Sequence, residues 1–97
     1  MVVISKTILL KFIHVHPQSA GPLNRWYELT VYSDWKDFAS MKKAFNHVDS
    51  AGNDRYIFNI KGNDLRLVIM IHFDILTVYI RFLGTHQEYD KINCSTI

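Results

Sequence analysis

The sequence predicts an α+β fold: N-terminal helices packed against a small antiparallel sheet, with a short helix near the C-terminus. Three observations carry that prediction. Apolar residues recur at helical spacing as far as residue 45, alternate from residue 55 onward, and flank a Gly62-Asn63 pair of the kind hairpin turns use. The 97 residues, 48% hydrophobic and 21% charged, make a single domain, 1–97, and exclude a disordered tail.

The apolar runs are short and interrupted, so no membrane span is expected. The first residues lack the pattern of a signal peptide, and a cytoplasmic location is the expectation. The single cysteine, Cys94, excludes an internal disulfide and a cysteine-cluster metal site, and reads as a passive tail residue. A net charge of +2 is too mild to name a nucleic-acid partner by itself. The placement of the basic groups has to decide.

Residues 1–4 form a short β-branched run, a strand. Ser5 caps a helix carrying Ile8, Phe12 and Val15 at helical spacing, and residues 17–21 break it. Pro22 suits a first helical position, and Leu23, Trp26, Tyr27 and Thr30 give a second, amphipathic helix. Asp34 caps a third, with Asp37 in its first turn and Phe38, Met41 and Phe45 on its buried side. Residues 46–53 read as a polar connection. The aromatics of this half read as core rather than as a ligand box. His14 and His16 point apart on a helix and make no metal site.

The second half changes period. Residues 55–61 and 64–73 alternate on either side of Gly62-Asn63. Pairing Lys61 with Asp64 sets Asn59 opposite Arg66, Phe58 opposite Leu67 and Ile60 opposite Leu65. Tyr56, Phe58, Ile60, Leu65, Leu67, Ile69, Ile71 and Phe73 then share one face, and a one-residue slip would mix the sets. A third strand, residues 77–83, adds Val78, Ile80 and Phe82 to that core face. Its Thr77, Tyr79 and Arg81 join the other, where Arg55, Asn59, Lys61, Arg66, Met70 and His72 already stand.

A polar outer face is ordinary for an antiparallel sheet. Here arginine predominates over lysine within the strands, and its planar fork suits phosphate. Aromatic side chains interleave with the charges, as base stacking requires. Beyond the third strand, Thr85-x-x-Glu88 matches a capping box, so Thr85 starts a short helix. His86 then lies beside a helix N-terminus favourable to phosphate, with Tyr89 one turn later on the same side. The bland alternative leaves His86 as a surface group and packs Tyr89 on the sheet.

The stretches "RYIFNIKGNDLRLV" and "VYIRFLGTHQEYDKI", with "GPLNRWY" and "SDWKDFASMKKAFN" upstream, closely resemble the HigB toxin family over almost the whole chain. The resemblance implies a RelE-like fold and an endoribonuclease that cuts mRNA on the translating ribosome. It also implies a HigA-type helix-turn-helix antitoxin as partner, and no cofactor or metal. The family's functional set maps onto Lys61, Asn63, Arg66, Arg81, His86 and Tyr89. Arg66, Arg81, His86 and Tyr89 are the expected catalytic residues. Arg55, Lys61, Asn63 and Tyr79 are the expected RNA contacts. The chain departs from the family at Met70, where a lysine often stands, and at His72. Its first helix is unusually apolar, which fits either an interface or deeper burial.

In the expected mechanism the RNA 2′-hydroxyl attacks its own phosphate. Arg66 and Arg81 stabilise the developing charge. His86 or Tyr89 moves the proton, histidine suiting neutral pH and tyrosine being a poor base unless its pKa falls. Two other classes stay open: a module that binds RNA or ribosome without cutting, and an inactive relative acting through its antitoxin on transcription.

Overall fold

The computed structural model describes residues 1–45, 47–60 and 64–97. Five strands form one sheet in the order β1-β5-β4-β3-β2. They are β1 (Val2–Ile4), β2 (Val48–Gly52), β3 (Arg55–Ile60), β4 (Leu65–His72) and β5 (Thr77–Thr85). Helices α1 (Lys6–Val15), α2 (Ala20–Val31) and α3 (Phe38–Ala44) precede β2, and α4 (His86–Tyr89) follows β5. The α+β class read from the sequence is the observed one. Among the described residues, no helix is long and apolar enough to cross a membrane.

The β3–β4 register matches the alternation: Asn59 faces Arg66, Phe58 faces Leu67 and Ile60 faces Leu65. The Lys61–Asp64 pair and the Gly62-Asn63 turn lie outside the described residues. The core forms on the predicted face. Phe58, Leu67, Ile69 and Ile71 pack there with Leu23 and Trp26 of α2 and Met41 of α3. Trp26 meets Phe58 edge-to-face at 5.7 Å, and Phe45 meets Phe58 at 4.8 Å, geometries that aromatic quadrupoles favour.

Several expectations are corrected. The sheet is larger than a three-stranded meander, because β1 pairs in parallel with β5 and β2 pairs with β3. Residues 48–52, read as connection, are a strand. Gly52, Asn53 and Asp54 all have positive φ, a backbone that glycine, asparagine and aspartate tolerate best, and they turn β2 into β3. The same Gly-Asn-Asp tripeptide recurs at 62–64, so the signal was present twice.

The cap assignments shift too. Asp37, not Asp34, caps α3 and accepts from the Ser40 backbone N–H at 2.8 Å. Ser5 has φ 73° and makes no side-chain cap to α1. Pro22 sits third in α2, behind a 3-10 turn over Pro17–Ser19. Helix α1 buries Leu9 and leans Ile8, Phe12 and Ile13 on the core, but leaves Leu10 54% and Val15 70% exposed.

One correction reaches the site. Opposite Val68 and Ile69, β5 carries an extra residue: Phe82 pairs with Val68 and Ile80 with Ile69, leaving Arg81 in a β-bulge. The bulge reverses the alternation beyond it. Leu83, not Phe82, pairs with Leu67 and packs against the core. Phe82 turns to the second face, where a Cβ added at Gly84 would lie 2.7 Å from its ring. That face is less polar than the alternation alone implied, since Ile57 and Val68 on it are buried.

Candidate active site

Helix α4 begins because Thr85 and Glu88 close a full capping box. The Glu88 backbone N–H donates to Thr85 Oγ1 at 3.2 Å, and the Thr85 N–H donates to Glu88 Oε1 at 2.9 Å. These bonds hold the Glu88 carboxyl below the usual carboxylate range. The His86 N–H donates to the Asp64 carbonyl at 3.3 Å. This start of α4 is therefore not the open anion site expected from sequence: its amides at 85, 86 and 88 are committed within the chain.

Anchored by that box, α4 packs on β4 and β5 and carries His86 and Tyr89 to the second face of the sheet. Arg66, His86 and Tyr89 line one open cleft of about 520 Å³. The Arg66 guanidinium carbon lies 5.9 Å from the centre of the Tyr89 ring, within cation–π range. Arg66 Nη1 also donates to the Leu65 carbonyl at 3.3 Å. The Tyr89 hydroxyl shares a 3.5 Å hydrogen bond with Cys94 Sγ. That bond, with desolvation, pushes the Tyr89 pKa up to about 12, although Arg66 pulls the other way. His86 is exposed, and its Nε2 stands 3.7 Å from Asp90 Oδ2, an ion pair when the imidazole is protonated.

The other predicted residues are placed differently. Arg81 is exposed at the bulge and stands outside the cleft lining. Arg55 lies on the expected face, but it donates to the Ile97 backbone oxygen from Nε at 3.0 Å and Nη2 at 2.6 Å. Its Nη1 donates to the Asn53 carbonyl at 2.8 Å, so this guanidinium clamps the end of the chain to the β2–β3 turn. Tyr79 pairs with Met70 and meets the His72 ring edge-on at 5.7 Å. Lys61 and Asn63 lie outside the described residues.

The cleft also holds residues that sequence reasoning did not select: Asp49, Ser50, Asn59, Asn93 and Ser95, along with Ile57. Asn59 was assigned to this face by alternation. Asp49 and Ser50 were missed because their strand was read as connection, and the second Gly-Asn-Asp turn was the available signal. Cys94 is no passive tail residue, since it partners the Tyr89 hydroxyl.

A cation stacked on a phenol, beside an exposed imidazole, can hold a phosphate and move a proton. Comparison with known proteins points the same way. The family model described as HigB toxin, the RelE-like toxic component of a toxin–antitoxin system, matches residues 19–92. The mRNA interferase HigB of Escherichia coli O6:H1 (strain CFT073) is 28% identical over 94 residues, covering 95% of this chain and 91% of that protein. The mRNA interferase toxin HigB of Escherichia coli (strain K12) is 42% identical over 53 residues, covering 53% of this chain and 51% of that protein. The mRNA interferase HigB of Shigella flexneri matches to the same extent, 42% over 53 residues. With the match spanning most of the sheet and α4, the chain belongs to the HigB toxin family, the RelE-like toxic components of toxin–antitoxin systems.

Proposed function

We propose that this chain is an endoribonuclease that cuts mRNA on the translating ribosome, in the cytoplasm, and is held inactive by a HigA-type helix-turn-helix antitoxin. The observation that carries the reading is the convergence of Arg66, His86 and Tyr89 on one cleft in a member of this family.

The nucleophile is the RNA 2′-hydroxyl, so the reaction needs proton movement and charge stabilisation rather than a protein nucleophile. His86 takes the 2′-hydroxyl proton. The 2′-oxygen bonds to phosphorus, the bond from phosphorus to the 5′-oxygen breaks, and a 2′,3′-cyclic phosphate forms. Tyr89 gives its proton to the departing 5′-oxygen, leaving a 5′-hydroxyl. A phenol with a pKa of about 12 stays protonated at neutral pH, which suits a donor and not a base. Arg66 stabilises the charge growing on the phosphate oxygens. Arg81, exposed at the bulge, holds the neighbouring stretch of RNA backbone.

Growth after induction, with and without the antitoxin, tests the reading, and primer extension on cellular mRNA locates the cuts. The wild-type chain arrests growth and produces cuts. Arg66→Ala lowers cutting by roughly 10²-fold to 10³-fold, the usual loss when a transition-state charge partner is removed. Toxicity that survives loss of Arg66, Arg81 and His86 together overturns this site. Arrest without cuts indicates a binding module instead.

A further inference from the structure

The cleft contains a carboxylate that the proposed chemistry does not use. Asp49 is exposed on β2 and lines the cleft with Arg66 and Tyr89. Among the described residues it has no hydrogen-bond or ion-pair partner. A free carboxylate repels a polyanion, so its presence in a cleft for RNA calls for a different contact from the phosphate one.

The ladder sets the distance that such a contact spans. Asp49 pairs with Ile57, which pairs with Val68, while Arg66 lies two residues from Val68 along β4. Two strand spacings and a two-residue offset separate the backbones of Asp49 and Arg66 by about 12 Å. That separation leaves room for one nucleotide, with its phosphate at the Arg66 guanidinium and the far edge of its base toward Asp49. Between the two lies Ile57, 7% exposed, an apolar floor against which a base can lie flat. The amide of Asn59 borders the same floor. The cleft is thus polarised along one nucleotide, with the Arg66 cation at one end and the Asp49 acceptor at the other, whose charge also reaches the Tyr89 hydroxyl.

We propose that Asp49 reads the base held in this cleft, accepting a hydrogen bond from an exocyclic amino group and so selecting adenine, cytosine or guanine over uracil. A carboxylate is acceptor-only. Adenine, cytosine and guanine each present an amino donor on the Watson–Crick edge. Uracil presents two carbonyl oxygens around a single N–H, and those oxygens face the carboxylate unfavourably. Asparagine in the same place can donate as well as accept, so Asp49→Asn removes the discrimination with little change of shape.

This inference rests on the nuclease reading, and one experiment separates the two. Wild type, Asp49→Asn and Asp49→Ala are induced in cells lacking the native gene pair. The 5′-hydroxyl RNA ends are mapped across the transcriptome, and the readout is base frequency at each position around the cut. Wild type disfavours uracil at one position by about tenfold or more, the scale of a good base-edge contact, and both variants bring that ratio close to one. An unchanged ratio in the variants, or wild-type cuts with no position depleted in uracil, overturns the role of Asp49. So does complete silence of both variants while each melts as a folded protein, since a base reader shifts choice rather than creating the chemistry. If wild type itself makes no cuts, the nuclease reading fails and this inference goes with it.

Discussion

The guanidinium of Arg66, on β4, stacks over the ring of Tyr89, on α4, at 5.9 Å, joining two elements that the chain separates by 23 positions. The contact gives one site a fixed cation and a phenol whose proton is held tightly. It depends on α4 starting where it does and on β4 presenting Arg66 to the second face.

Tyr89→Phe keeps the ring beneath Arg66 but removes the proton. Cutting on programmed ribosomes falls by about 10²-fold or more, the scale of a lost general acid, while RNA binding changes little. Stability carries a second signature. The Tyr89 pKa is raised from 10.0 to about 12, so the fold favours the neutral phenol. That contribution is complete below pH 10 and is lost as pH rises toward 12. Melting temperatures of wild type and Tyr89→Phe therefore converge across that window. Parallel curves there would remove Tyr89 as the desolvated, hydrogen-bonded group.

Thr85→Ala deletes the acceptor for the Glu88 N–H. Urea unfolding loses about 0.5–2 kcal/mol, as for other lost caps, and cutting falls because His86 and Tyr89 ride on the helix it starts. The Glu88 carboxyl is held low by the Thr85 N–H, so its contribution is present above the ordinary glutamate pKa and lost as pH falls below it. Glu88→Gln flattens the acid side of the stability profile. A Thr85→Ala protein as stable and active as wild type would mean α4 forms without its box.

Gly84→Ala sets a methyl group 2.7 Å from the Phe82 ring and 3.2 Å from Glu88 Oε1, the oxygen that accepts from Thr85. The ring must move and the box must loosen, at a cost of about 1–3 kcal/mol. Urea titration measures it. Gly84→Ala combined with Phe82→Leu recovers part of the loss if the ring clash is the cause.

Arg55→Ala loosens residues 93–97 from the β2–β3 turn, since the bonds to the Ile97 and Asn53 oxygens are lost and the Asn53 Nδ2 bond to the Ser95 carbonyl remains. Backbone amides over residues 93–97 then exchange faster in hydrogen-exchange mass spectrometry, while those of β4 keep their protection. Unchanged exchange over 93–97 would show that other contacts hold that wall of the cleft.

Local sequence carried a large part of this structure. Alternation set the β3–β4 register residue for residue, because a slip would have exposed one whole apolar set. The capping box at Thr85 and Glu88 marked the start of α4, because both of its bonds lie within four residues. Arg66, His86 and Tyr89 were all legible as candidates, and the family motifs lie in the same stretches.

What tertiary structure decided was which of them meet. The extra residue at Arg81 reversed the strand beyond it, moving Phe82 to the second face and leaving Arg81 outside the cleft, and a bulge leaves no trace in alternation alone. Pairing of β2 with β3 brought Asp49 into the site from a segment too short and polar to read as a strand. Folding of residues 90–94 set Cys94 against the Tyr89 hydroxyl and, with desolvation on the sheet, tightened the hold on its proton. Local bonding is written in neighbouring residues; contacts between distant segments exist only once the sheet has closed around them.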